Sequence, residues 1–120
     1  MDFVFILALS TLLVHEMDAI RCKEWTIIPG LSVLDEKVGF VVFILIHIPL
    51  VALAMNTSSY EHKSNIVIGL DLFMIVHLFL HLIFLNHKKN LFKDWVSWVL
   101  IIFSSAFAIV HLIKINFDTH

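Results

Sequence analysis

The sequence predicts an all-α integral membrane protein, a four-helix bundle with antiparallel, up-down topology. Three observations carry this reading. Four apolar stretches recur along 120 residues, 60% of which are apolar and only 15% charged. Each stretch is close to the ~20 residues that a helix needs to cross ~30 Å of hydrocarbon. The mean hydropathy is +0.96, whereas a soluble domain of this length needs a more polar surface.

The first stretch runs from Phe3 to about Ile20, with His15, Glu16 and Asp18 in its second half. It lacks the basic n-region and small-residue cleavage site of a secretory signal, so it reads as a retained spanning helix. The second, Val38 to Met55, contains His47 and Pro49; the third, Ile66 to Leu85, contains Asp71, His77 and His81. The fourth, Trp95 to Ile113, contains Ser97, Ser104, Ser105 and His111. Residues 1–120 are read as one transmembrane domain. Within the first connection, Ile27–Leu31 is apolar but broken by Pro29-Gly30, and is expected to lie along the interface.

Charge sets the expected orientation. The first and third connections hold Arg21, Lys23, Lys37, Lys88, Lys89 and Lys93, and the other side holds only Lys63 and Lys114. The positive-inside rule then puts both termini outside. Trp25, Trp95 and Trp98 are expected in an aromatic belt at the cytoplasmic boundary. A formal net charge of −2 offers nucleic acid no footing, and Cys22, as the sole cysteine, excludes an internal disulfide. The thiol is read as inert, and His62, His87 and His120 as solvated.

Ionisable groups inside spanning helices are costly and mark function by default. Counted at about 1.5 Å per residue from the cytoplasmic end, His81 lies ~6 Å deep, His15 ~8 Å, His77 ~12 Å and His47 ~14 Å. Asp71 and His111 lie deeper, at ~21 and ~24 Å, and are expected to form a structural hydrogen-bonded pair. His111 shares a face with Ser104 and Ala108, a close-packing seam.

The inner group has the chemistry of a metal site. His77 and His81 share one helix face at i,i+4 spacing. His15, Asp18 and Cys22 form a stripe on the first helix, and His47 sits beside the carbonyl of Leu45 that Pro49 leaves without its helical partner. Neutral imidazole is the commonest metal ligand, and helix bundles build metal centres from facing helices. The expected ligands are therefore His15, Asp18, His47, His77 and His81, with Zn²⁺ or another transition metal. Glu16, at the border of the stripe, is the candidate general base. Haem would require two opposed histidines at one depth, such as His47 and His77, and small residues to admit the porphyrin are scarce.

The run His15-Glu16-Met17-Asp18-Ala19-Ile20, followed by Glu24-Trp25, resembles the opening of a family of small, four-helix bacterial membrane proteins of unknown function. That resemblance implies a bacterial inner-membrane location and no particular activity. In size, helix number and a membrane-embedded glutamate, here Glu16, the chain is also similar to the small multidrug resistance exporters. Those are glycine-rich, and this sequence has three Gly.

Three functions follow as expectations. The first is a membrane-embedded metalloprotein, a metal-dependent hydrolase acting on a lipid-like substrate. The second is a small proton-coupled transporter working as a dimer. The third is an oligomeric membrane effector or pore. The expected partners are the lipid bilayer and further copies of the chain.

Overall fold

The computed structural model describes residues 2–60 and 64–117. They form four helices, α1 (Phe3–Arg21), α2 (Glu36–Asn56), α3 (Asn65–Ile83) and α4 (Trp95–Phe117), and no strand among the described residues. Short 3-10 turns lie at Glu24–Thr26 and Thr57–Ser59. All four helices are long and apolar enough to cross a membrane. Lys63, His62 and His120 lie outside the described residues.

Side-chain caps set the starts of three helices. Val4 N–H donates to Asp2, Lys37 N–H to Asp35 and Val67 N–H to Ser64. The Asp35 cap starts α2 two residues before the apolar run, because Glu36 is favoured in a first turn near the helix dipole's positive end. At the other extreme α4 runs on past Ile113. Lys114 does not stop it, because its ammonium pairs with Asp2.

Two polar staples fix α1 against α4 in antiparallel orientation. Asp2 meets Lys114 at one end. At the other, Arg21 donates to Asp18 and to Asp94, each at 2.7 Å, and to Ser97 at 3.1 Å. The Ser97 N–H and the Arg21 guanidinium hold the Asp94 carboxyl down at about 2. Lys114 and the Val4 N–H likewise lower Asp2. Between the staples the helices approach closely through small residues. Ala8 and Ala108 are fully buried, and Ser104 Oγ donates to the Ala8 carbonyl at 3.4 Å.

The interior is layered. One apolar cluster joins Phe5, Leu9, Leu12, Leu70 and Met74; a second joins Ala19, Trp25, Ile27, Phe43, Phe92 and Ile101. His15 lies between them in the chain, after Leu12 and before Ala19. The outside is apolar instead, with Leu45, Val76, Phe79, Phe103 and Val110 exposed. Exposed apolar surface on all four helices fits a hydrocarbon surround far better than water. α2 is the outlier: it packs against the Glu24–Thr26 and Thr57–Ser59 turns and buries only Gly39, Phe43 and Ala54.

Trp25 departs from the expected aromatic belt. It is 5% exposed and packs on Phe40 and Phe43, with ring centroids 5.1 and 5.6 Å away. Gly39 makes room for it, since a Cβ there would sit 3.0 Å from Trp25 Cδ1 and 3.4 Å from the Leu31 carbonyl oxygen. Replacing Gly39 with Ala is expected to lower stability on balance, because overpacking the buried Trp25 costs about 1–3 kcal/mol against the ~0.5–1 kcal/mol that Ala gains over Gly in a helix. A melting curve of the purified variant in detergent checks this, and an unchanged midpoint would contradict it. Trp95 is 76% exposed, and Trp98 donates its Nε1–H to the Phe92 carbonyl.

Candidate metal centre

Four donors converge beside Phe92 of the second apolar cluster. His77 and His81, one turn apart on α3, face His15 of α1 through the same ring atom, Nε2. His15 Nε2 lies 2.9 Å from His77 Nε2, and His81 Nε2 lies 3.2 Å from it. The fourth donor is Glu24, whose Oε1 is 3.5 Å from His77 Nε2 and 3.6 Å from His81 Nε2. Its Oε2 is 3.9 Å from His15 Nε2. All four ligand atoms lie within 4.8 Å of one another.

Glu24 reaches this point because the chain turns back directly after α1. Cys22 caps the helix, and Lys23 adopts φ 50°, ψ 48°, the left-handed conformation that ends many helices. The following 3-10 turn tucks Glu24 under the helix end, where it is only 4% exposed. Burial pushes its carboxyl up to about 8, and neighbouring Glu16 adds to the shift. Further along the same loop, Gly30 takes φ 91°, which a side chain would strain.

The group is enclosed. Phe92 is fully buried and lies against His15 and His81, with centroids 5.6 and 4.4 Å apart. A neutral imidazole carries one N–H and one acceptor lone pair, so His15 and His81 compete for the one lone pair of His77 Nε2. That arrangement leaves His15 Nδ1 and Glu24 Oε2 buried without a hydrogen-bond partner. Buried polar atoms left so cost about 1–3 kcal/mol each, so the imidazoles alone do not satisfy the site.

The other expected site residues are placed differently. Asp18 lies outside the four-donor group; its carboxylate accepts from Ser97 Oγ at 2.5 Å and from Arg21. The spacing that put it in line with His15 also brings it to α4, where Arg21 and Ser97 bind it. Cys22 shares this network at the 3.7–4.0 Å contacts of its sulfur with Asp18, Leu91 O and Ser97. Burial raises its thiol pKa, and the Asp18 carboxylate adds to the rise.

His47 is also outside the group, and it is bound to Glu16. Its Nε2 lies 2.7 Å from Glu16 Oε2, and its Nδ1 2.6 Å from the Phe43 carbonyl oxygen. The carbonyl can only accept, so Nδ1 carries a proton. The Glu16–His47 contact then needs a second proton, on either the imidazole or the carboxyl. The pair therefore holds one proton between a carboxylate and an imidazole. In the opposite half of the bundle His111 Nδ1 and Asp71 Oδ2 meet at 2.6 Å, both side chains fully buried. His87 is exposed in the α3–α4 loop, where its Nδ1 accepts from Lys89 N–H.

The match to known proteins is at the level of a family. Residues 1–118 match the model of DUF6713, a family of unknown function. The chain belongs to this family. No curated protein and no solved structure matches it. The small four-helix family to which the His15–Ile20 and Glu24-Trp25 segments pointed is thus a real one, and it carries no assigned activity.

In this DUF6713 chain the residue that sequence reasoning missed is Glu24. Its signal was present in the Glu24-Trp25 part of the resemblance. Nothing in the spacing of a loop carboxylate, however, announces that the chain reverses at a non-glycine residue.

Proposed function

We propose that His15, Glu24, His77 and His81 hold a transition metal, with zinc the best fit, and that the centre serves hydrolysis within the membrane. The observation that supports this most is the spacing of the donors. Ligands about 2.0–2.1 Å from a tetrahedral zinc stand about 3.3 Å apart. The contacts to His77 Nε2 of 2.9 and 3.2 Å and those to Glu24 Oε1 of 3.5 and 3.6 Å bracket that edge length, and all four ligand atoms lie within 4.8 Å of one another. A cation at the centre would take up the Nε2 lone pairs of the three imidazoles and the Glu24 carboxylate, whose Oε2 is otherwise buried without a hydrogen-bond partner.

Three imidazoles and a carboxylate would fill the four positions of a tetrahedral zinc, so its Lewis acidity would reach a substrate only through a fifth position or in place of Glu24. The chain's own contribution to hydrolysis is the Glu16–His47 pair, which borders the same cavity as Glu24, His77 and His81 and holds a proton for transfer. His47 thereby orients Glu16, in the way that a second group orients a general base. The carrier reading draws on the same shared proton, and proton-coupled flux into liposomes is its distinguishing measurement.

Hydrolysis is tested by offering purified protein acyl-ester substrates in mixed micelles. We expect turnover that Glu16→Gln reduces by about 10²–10⁴-fold, the usual contribution of a general base, while metal content is kept. Turnover that is undiminished in Glu16→Gln, or absent in metal-loaded wild type, would overturn the catalytic part.

The location we infer is a bacterial inner membrane with both termini outside and the metal group in the cytoplasmic half. Arg21 and the Lys88–Lys93 segment stand at the same end of the bundle as this group. Labelling of Lys89→Cys in intact cells should require permeabilisation; ready labelling by an impermeant reagent from outside would refute the orientation.

A further inference from the structure

We propose that the gap between α2 and α3 binds a single-chain amphiphile, with the chain in the gap and an oxygen-bearing head at the Glu16–His47 pair. This deepens the metal reading by naming the substrate class of that site, and it rests on that reading only for the reaction.

α2 packs on the two turns, and a gap lies between it and α3. The gap forms a cavity of about 550 Å³, within the range of small-molecule sites. Phe43, Ile46 and Leu50 supply one wall, and Phe73, Leu80 and Phe84 the other. The lining from Phe73 to Phe84 extends ~16 Å along α3, so the cavity is an elongated slot parallel to the helix axes. A lipid chain in a bilayer has that direction and that shape.

The polar lining is gathered in the layer of Glu16, Glu24, His47, His77 and His81, so the slot is amphipathic. Segment Ile27–Leu31 closes the loop end, held by Gly30 in its left-handed conformation. The side mouth is apolar: Ile46 is 53% exposed and Leu80 43%. A water-soluble substrate would have to pass this mouth, whereas a membrane amphiphile already lies against it. Both a free fatty acid and a lysophospholipid have the required chemistry.

The test uses full-length protein in phosphatidylcholine nanodiscs with palmitic acid carrying a mid-chain diazirine. Photolysis should place adducts on Ile46, Leu50, Phe73 and Leu80 several-fold above the outward-facing α4 residues Ile102, Phe103 and Val110. Leu50→Trp, which fills the slot, should abolish that excess while leaving metal content unchanged. Competition by unlabelled palmitic acid alone would assign the free acid, and competition by lysophosphatidylcholine the lysophospholipid. Adducts spread evenly over slot and outer residues would overturn the proposal without touching the metal reading. Adducts concentrated in the slot of a protein that binds no metal would support the amphiphile site and remove the metal.

Discussion

Replacing both His77 and His81 with Ala should abolish metal binding and lower the thermal stability of the protein. The two residues supply two of the four donors, and His77 is the one that both His15 and His81 approach. A bound ion stabilises the folded state by about 3–4 kcal/mol when free metal is a few hundred times its dissociation constant. The double variant loses that entire term. Chelator should lower the wild-type midpoint by a similar amount and leave the double variant unmoved. If wild type and double variant melt alike with and without chelator, the group is a hydrogen-bonded seam between helices. The controls are Asp71→Asn and His111→Gln, which lie in the other half of the bundle and should leave metal content intact.

Metal affinity should depend on pH through Glu24. Burial holds this carboxyl protonated up to about pH 8, and a protonated carboxyl cannot ligate. Binding must therefore displace a proton below that pH. With this carboxyl titrating at about 8, the apparent affinity should fall about fivefold from pH 8 to 7 and approach tenfold, or about 1.4 kcal/mol, for each further unit. Above pH 8 this proton is already gone and the dependence should flatten. Glu24→Gln should bind metal more weakly and lose the step between pH 7 and 8. Titration of chelator-stripped protein with zinc at several pH values reads both effects. A wild-type slope matching that of Glu24→Gln would show that Glu24 is not a ligand.

How much of this was legible beforehand differs by residue. The four spans were readable because hydropathy over some twenty residues is a cumulative signal that no single residue reverses. Their ends were not, since they depend on caps such as Asp35 and on pairings such as Asp2 with Lys114. The meeting of His15, His77 and His81 followed from depth along each helix and from i,i+4 spacing, both consequences of helical geometry. His47 matched them in depth, yet depth cannot say which partner a side chain turns to, and it turns to Glu16. Asp18 shows the same limit. Its helical phase relative to His15 was right, but Arg21, Ser97 and Asp94 surround it at the boundary. Glu24 stood in the Glu24-Trp25 part of the resemblance, but its place beside the histidines was not readable, because it depends on a chain reversal at Lys23 without a glycine. Trp25 looked like an interfacial tryptophan by composition, and the absence of a side chain at Gly39 is what buries it.

Metal-edge X-ray absorption on protein purified without chelator and without an immobilised-metal column tests the central claim most directly. The account predicts a zinc edge at close to one ion per chain, with a shell of nitrogen and oxygen only, at about 2.0–2.1 Å, and the outer-shell scattering of about three imidazoles. An edge at background level, or a shell with sulfur or fewer than two imidazoles, would contradict it.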